Sequence, residues 1–216
     1  MVHCNNCTND MNEWVSLLRE TLRLMGCEAE PGELFTKLYQ HSLAADADGG
    51  GITVYNYLAG EPVTGFDEGR PLVVRRPGVP LTLANFIRAQ LYSTMATLAV
   101  GMDILAKENV TIDRMMGHGG LFKTPVVGQR YMAAACKAPV TCMETAGEGG
   151  PYGMALLAAY ARCGEGSLEE FLQRRVFADC AAVTLEPEAE DLRGFEAYLT
   201  RFIAGLPAEK AAVENL

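Results

Sequence analysis

Apolar residues near the start of the chain step by three or four. Trp14, Leu17, Leu18, Leu22 and Met25 fall on one stripe before Gly26, and Asp10 and Glu13 are spaced as a capping box, which predicts a helix with a buried face. Pro31 suits a first helical turn, and Leu34, Phe35, Leu38 and Tyr39 behind it predict a second helix. That helix should end before Ala45-Asp46-Ala47-Asp48-Gly49-Gly50-Gly51. With two Asp ahead of it and no Lys-Ser or Lys-Thr behind, the triglycine reads as a turn rather than a phosphate cradle. The pattern then changes. Ile52 to Leu58 is β-branched and aromatic and predicts a strand, and Pro71 to Arg75 predicts a second short one beyond a Gly-rich loop. From Thr82 to about Glu108, Leu83, Phe86, Ile87, Leu91, Met95, Leu98, Met102 and Leu105 keep helical spacing, so one long helix with a single buried face is expected.

A unit of short strand, glycine loop and proline-opened helix then occurs twice. The first copy is Ile112 to Met116, then Gly117-His118-Gly119-Gly120, then a helix with Thr124 as cap and Pro125 in its first turn. The second is Pro139 to Met143, then Glu144 to Gly150, then a helix from Pro151 to about Ala161. Both loops should leave the carboxyl ends of neighbouring parallel strands, where open α/β sheets bind ligands. The tail holds a capping box at Ser167 to Glu170, an apolar run at Ala181 to Leu185 and a last helix from about Pro187 to Ala204, which reads as packing material. No internal repeat of solenoid period and no low-complexity linker interrupts the chain.

Composition narrows the function classes. With 216 residues and 49% hydrophobic content the chain can bury a sizeable core as one domain. A formal charge of -9 argues against a nucleic-acid or anionic-membrane surface, so any anionic ligand is expected to be held locally. There is no run of the roughly 20 apolar residues that a membrane span needs. The polar start has no signal-peptide core, so a cytoplasmic protein is expected. Seven cysteines, an odd number scattered through regular segments, fit reduced thiols. Cys4-Asn5-Asn6-Cys7 lacks two further zinc ligands nearby, and no metal-ligating residue is assigned. A thiol enzyme built on His118 with Cys136 or Cys142 is disfavoured, because those cysteines fall in a small-residue helix and a strand, where inert buried thiols are usual.

The two loops carry the candidate chemistry. Glycine removes the Cβ that blocks close approach, and a helix amino terminus offers free N–H groups and positive dipole to an anion. Around Gly119 and Gly120 the first loop adds His118 and Lys123, with Gln129 about one turn beyond the helix opening, which suits a phosphate. The second loop carries Glu144 and Glu148, which repel phosphate but accept hydrogen bonds from ribose or an amino group. A nucleotide crevice and a pair of plain tight turns both fit these residues.

The same residues resemble the FGGY carbohydrate kinases. Gly119-Gly120-Leu121-Phe122-Lys123-Thr124-Pro125-Val126-Val127-Gly128-Gln129 is similar to the family's adenine-nucleotide loop, with Leu121 and Val127 standing where the family has glycine and tryptophan. Glu148-Gly149-Gly150-Pro151-Tyr152-Gly153 and the following helix resemble the family's adenosine-pocket segment. Tyr57-Leu58-Ala59-Gly60-Glu61, with Asp67 and Gly69 downstream, is similar to a third family run. The resemblance implies an α/β, actin-like ATPase (ribonuclease H-like) domain, incomplete at its N-terminal end, over residues 1–216. It implies ATP and Mg²⁺ as cofactors, with Gly119, Gly120, Lys123, Thr124, Gln129, Glu148, Gly149, Gly150 and Gly153 as nucleotide contacts. The sugar site and the Asp base belong to a missing N-terminal domain, so no catalytic residue is assigned here. The implied reaction moves the γ-phosphoryl group of ATP to a sugar hydroxyl. The rival class is a non-catalytic actin-like nucleotide-binding or sensor module. Monomer and homodimer are both open, since an apolar surface freed by truncation can pair with itself.

Overall fold

The computed structural model describes residues 2–147, 149–163 and 166–216. Two helices open the chain, α1 (Asn9–Leu24) and α2 (Pro31–His41). α1 begins behind Thr8, so Asp10 is not a cap; it lies in the first turn and accepts the Trp14 indole N–H at 2.9 Å. The buried stripe is also rotated from the expected one. Met11 and Val15 face the core while Leu17 and Met25 are exposed, because Trp14 is drawn edge-on to Phe86 with 4.8 Å between ring centres. In α2, Pro31 opens the helix and Leu34, Leu38 and Tyr39 are buried as the spacing predicts. Gly49, Gly50 and Gly51 form a turn with φ of 73°, 61° and 73°, values that favour glycine.

Strands β1 (Thr53–Tyr55) and β2 (Leu72–Val74) pair antiparallel, with Val54 opposite Val73. Helix α3 (Leu83–Lys107) is capped by Thr82, whose hydroxyl accepts the Asn85 N–H at 3.2 Å. The expectation of one buried face fails here. Ala89, Gln90, Tyr92, Ser93, Ala96 and Thr97 are as buried as Ile87, Leu91 and Met95, because α3 is central and touches α2, β1 and two later helices.

The second half contains β3 (Met115–Met116), α4 (Val127–Cys136), β4 (Val140–Met143), α5 (Gly149–Cys163), α6 (Leu168–Phe171), β5 (Ala182–Leu185) and α7 (Ala189–Asn215). β3 and β4 are parallel as expected, with Met115 opposite Val140. The apolar run after α6 is a strand, β5, antiparallel to β4. The Ser167–Glu170 capping box forms in both directions. α7 runs well past the expected stop at Ala204, and its extension buries Glu209. Among the described residues no helix is long and apolar enough to cross a membrane.

The core gathers where α3, α4, α7 and β1 meet. Tyr92 is 5.1 Å from Tyr131, 5.1 Å from Phe195 and 5.3 Å from Tyr198, ring centre to ring centre. Buried tyrosines need partners for their hydroxyls, and these have them. Tyr198 donates to Ala89 O at 2.9 Å, Tyr55 donates to Phe202 O at 2.7 Å, and Tyr131 shares a 2.8 Å bond with Ser42. Beside these rings Asp191, in the first turn of α7, accepts Arg88 of α3 at 2.5 Å and Arg130 of α4. The Arg88 guanidinium lies over Tyr92 and Tyr131, 5.1 Å and 5.0 Å from their ring centres.

Removing one partner of a buried charge network strands the others in low dielectric, so Asp191→Ala is expected to cost about 3–5 kcal/mol. Urea unfolding measures this, and a loss below about 1 kcal/mol, the worth of an exposed pair, contradicts the assignment. Glu209 gives a pH prediction. One carboxylate oxygen accepts the Arg70 N–H at 2.7 Å, the other is buried without a partner, and burial pushes the pKa up. The folded state therefore holds this proton more tightly than the unfolded chain, and the group's contribution to stability falls as pH rises above its ordinary value of 4.5. Glu209→Gln, which never ionises, should gain on the parent as pH rises from 4 to 7, read as the difference in Tm across that range. A difference that does not change with pH counts against it.

Candidate functional site

The parallel pairing of β3 with β4 delivers both glycine loops to one end of the sheet. Met115 N–H donates to Pro139 O at 2.8 Å and Gly117 N–H to Thr141 O at 2.9 Å, which fixes where the first loop leaves. Gly117 has no room for a side chain, since a Cβ there would lie 2.5 Å from the Phe122 ring and 2.8 Å from Cys142 Sγ. Gly119 has φ of 103°, open to glycine and strained for other residues, and its N–H donates to Ala146 O in the second loop at 2.8 Å. The loops are therefore joined to each other directly. The contact continues at Gly147, whose Cβ position lies 3.2 Å from Lys123 Cγ, so the Lys123 stem runs across the second loop.

Both helix starts differ from the sequence expectation. Gly120–Lys123 forms a 3-10 turn and α4 begins only at Val127, so Thr124 is not its cap; Thr124 is extended and 5% exposed. The delay comes from Val126, which has φ of 72° and closes a γ-turn with Val127 N–H on Pro125 O at 2.9 Å. A β-branched residue in that region stores roughly 1–3 kcal/mol, strain of the kind that gathers at functional sites. α5 begins at Gly149 rather than Pro151, so Gly149 and Gly150 belong to its first turn and Gly153 lies within the helix. Glu148 lies outside the described residues.

Two classes of predicted residue emerge. Gly119, Gly120, Gly150 and Gly153 have no described atom within 4 Å of where a Cβ would sit, so they face open space, and Lys123 is exposed beside them. Thr124 and Gln129 lie inside. Gln129 is 6% exposed, and its amide nitrogen donates to Val140 O at 3.1 Å and to Val183 O at 2.8 Å. Among the described residues no group of three or more His, Cys, Asp and Glu is placed to hold a metal ion.

Behind the first loop is a cavity of about 380 Å³, bounded by His118, Gly119 and Gly120 on one side and by Cys4, Asn6 and Thr8 on another. The sequence reading gave the N-terminal segment no place at the site. It is held there by Glu61, fully buried, whose carboxylate accepts the N–H groups of Asn5 at 2.9 Å and Asn6 at 3.1 Å. Asn6 in turn accepts the N–H of Leu58 at 3.0 Å and of Ala59 at 3.1 Å. A partner 55 residues away leaves no periodic trace in the sequence. Neither Cys136 nor Cys142 is activated: burial pushes Cys136 up to about 11 and also raises Cys142.

Comparison with known proteins fits this architecture. The chain resembles xylulose kinase from Rhodospirillum rubrum with a TM-score of 0.66 at 17% identity, covering 91% of this chain and 37% of that one. Gluconate kinase from Lactobacillus acidophilus gives 0.67 at 18% identity over 95% of this chain and 38% of that one. Plasmodium falciparum glycerol kinase, solved with ADP, gives 0.60 at 12% identity over 81% and 33%. The chain thus spans less than two fifths of the length of these solved structures, and at such identities the likeness is one of fold. No curated protein matches the chain. The model of the FGGY family of carbohydrate kinases, C-terminal domain, matches residues 1–162, three quarters of the sequence. With parallel β3 and β4 feeding two joined glycine loops, and with that match over most of its length, the chain belongs to the FGGY family of carbohydrate kinases and has the actin-like ATPase fold of their C-terminal domains.

Proposed function

We propose that residues 1–216 form the C-terminal, nucleotide-binding domain of a cytoplasmic carbohydrate kinase, which transfers the γ-phosphoryl group of ATP to a sugar or polyol hydroxyl. The observation that carries the reading is the junction of the two loops. Gly119 N–H is bonded to Ala146 O, while Gly119, Gly120, Gly150 and Gly153 leave open space beside it. Gly120, Gly150 and Gly153 are required neither by a neighbouring atom nor by a positive φ, and glycine at such positions is explained by a ligand that comes close to the backbone. The phosphates face Gly119, Gly120 and Lys123, whose stem is held along Gly147. The nucleoside lies along Gly149, Gly150 and Gly153 at the amino end of α5, with Glu148 as a hydrogen-bond acceptor. Thr124 and Gln129 support the loops from within.

This chain's contribution is to bind and orient ATP, the positioning share of phosphoryl transfer. Bound Mg²⁺ would offset the charge of the ATP phosphates, and among the described residues no group of three or more His, Cys, Asp and Glu is placed to hold it. The site that holds the sugar and the carboxylate that activates its hydroxyl are assigned to polypeptide outside these residues, in keeping with the small share of each solved relative that the chain spans.

Two tests follow from this division. A helical Gly→Ala change at an open site normally stabilises by about 0.5–1 kcal/mol. Gly153→Ala should therefore hold or raise Tm, and Gly120→Val should leave it nearly unchanged, while both weaken ATP binding by about tenfold, roughly 1.4 kcal/mol, in calorimetric titration. Unchanged affinity in both variants refutes the placement. The isolated chain should also bind ATP or ADP without transferring phosphate. Sugar-dependent ADP release in a coupled assay over a panel of pentoses, hexoses and polyols would show that it carries a complete active site, contrary to this reading.

A further inference from the structure

We propose that Gln129 is a positioning residue that sets the spacing of the two glycine loops and does not touch the nucleotide. The inference rests on the nucleotide reading above and reassigns one residue within it. A glutamine amide has two N–H donors. Both are committed: Nε2 lies 3.1 Å from Val140 O and 2.8 Å from Val183 O, and the residue is 6% exposed. No proton of this side chain remains for a phosphate oxygen.

The positions of those two carbonyls give the residue its role. Gln129 stands in the first turn of α4, the element that directly follows the first loop and its strained Val126. Val140 is the β4 residue paired with Met115 of β3, and β4 leads into the second loop. Val183 lies on β5, opposite Cys142 near the end of β4. One amide therefore ties the end of the first loop to the strand that launches the second and to the strand that backs it. Among the described residues one backbone bond joins the loops, Gly119 N–H to Ala146 O at 2.8 Å, and the Gln129 link fixes the bodies on either side of it. Neutral amide chemistry suits the place. A carboxylate there would face two carbonyl oxygens, and an apolar group would leave both carbonyls without this donor.

The test uses the ¹⁵N-labelled chain and NMR. In the parent protein, MgATP should shift the backbone amides of Gly119, Gly120 and Gly149 and leave the Gln129 side-chain amide pair in place and slow to exchange with water. Gln129→Met keeps the length of the side chain and removes both bonds. In that variant, before any ATP is added, the Gly119 amide should lose at least about tenfold of its exchange protection, and ATP affinity should fall by about tenfold, the worth of one hydrogen bond. A Gln129 side-chain pair that moves with ATP as far as the Gly120 amide overturns the proposal, because Gln129 is then a ligand. So does unchanged Gly119 protection in Gln129→Met. If the variant does not fold, the side-chain resonances of the parent still decide between ligand and support. If no glycine amide responds to ATP, the nucleotide reading fails, and Gly119 protection in the variant still reports whether Gln129 holds the loops.

Discussion

Asp191 is one carboxylate on which three helices converge. It sits in the first turn of α7 and holds Arg88 from the second turn of α3 and Arg130 from α4. Arg88 and Asp191 are buried and need each other, and the partly exposed Arg130 completes the pairing, so the arrangement constrains all three helices at once. Arg88 also lies over the rings of Tyr92 and Tyr131, which ties the ion network to the aromatic core. Arg130 follows Gln129 directly, so the turn of α4 that is locked to α7 is the turn that reaches the sheet. The placement of the loops descends from this lock.

What the lock positions is a pair of backbone surfaces rather than a set of reactive side chains. The glycine loops leave adjacent parallel strands, touch through Gly119 and Ala146, and present glycine to open space. An anion is held at such a place by N–H dipoles and by close approach, which accounts for a net charge of -9 being compatible with a phosphate ligand. The half-buried thiols of Cys136 and Cys142 are not activated nucleophiles, since burial raises both. The chemistry proposed for this geometry is orientation of a nucleotide.

Several elements were readable from local rules. Pro31 at the head of α2 and the Ser167–Glu170 capping box each follow from a residue's own hydrogen-bonding or ring constraint. The readings that failed were those in which a neighbour overruled the local pattern. Asp10 was drawn to Trp14 instead of capping α1, and α3 proved to be enclosed rather than one-sided. Thr124 lost its cap role to the γ-turn at Val126, which no propensity predicts for valine. The strand β5 has meaning only as the partner of β4. Glu61 and Asn6 were part of no periodic signal, because their contact spans 55 residues.

The sequence by itself determined the family, the two strand–loop–helix units and the parallel strands that carry the loops, because glycine, proline and helical spacing act within a few residues. Tertiary structure decided which of the predicted residues face outward. Gly119, Gly120, Gly150 and Gly153 open to space, whereas Gln129 turns inward to the carbonyls of Val140 and Val183. It also decided that the loops touch and that the N-terminal segment closes a cavity behind them. These outcomes depend on donors and acceptors meeting across long stretches of chain, and a one-dimensional pattern does not encode which buried group finds which partner.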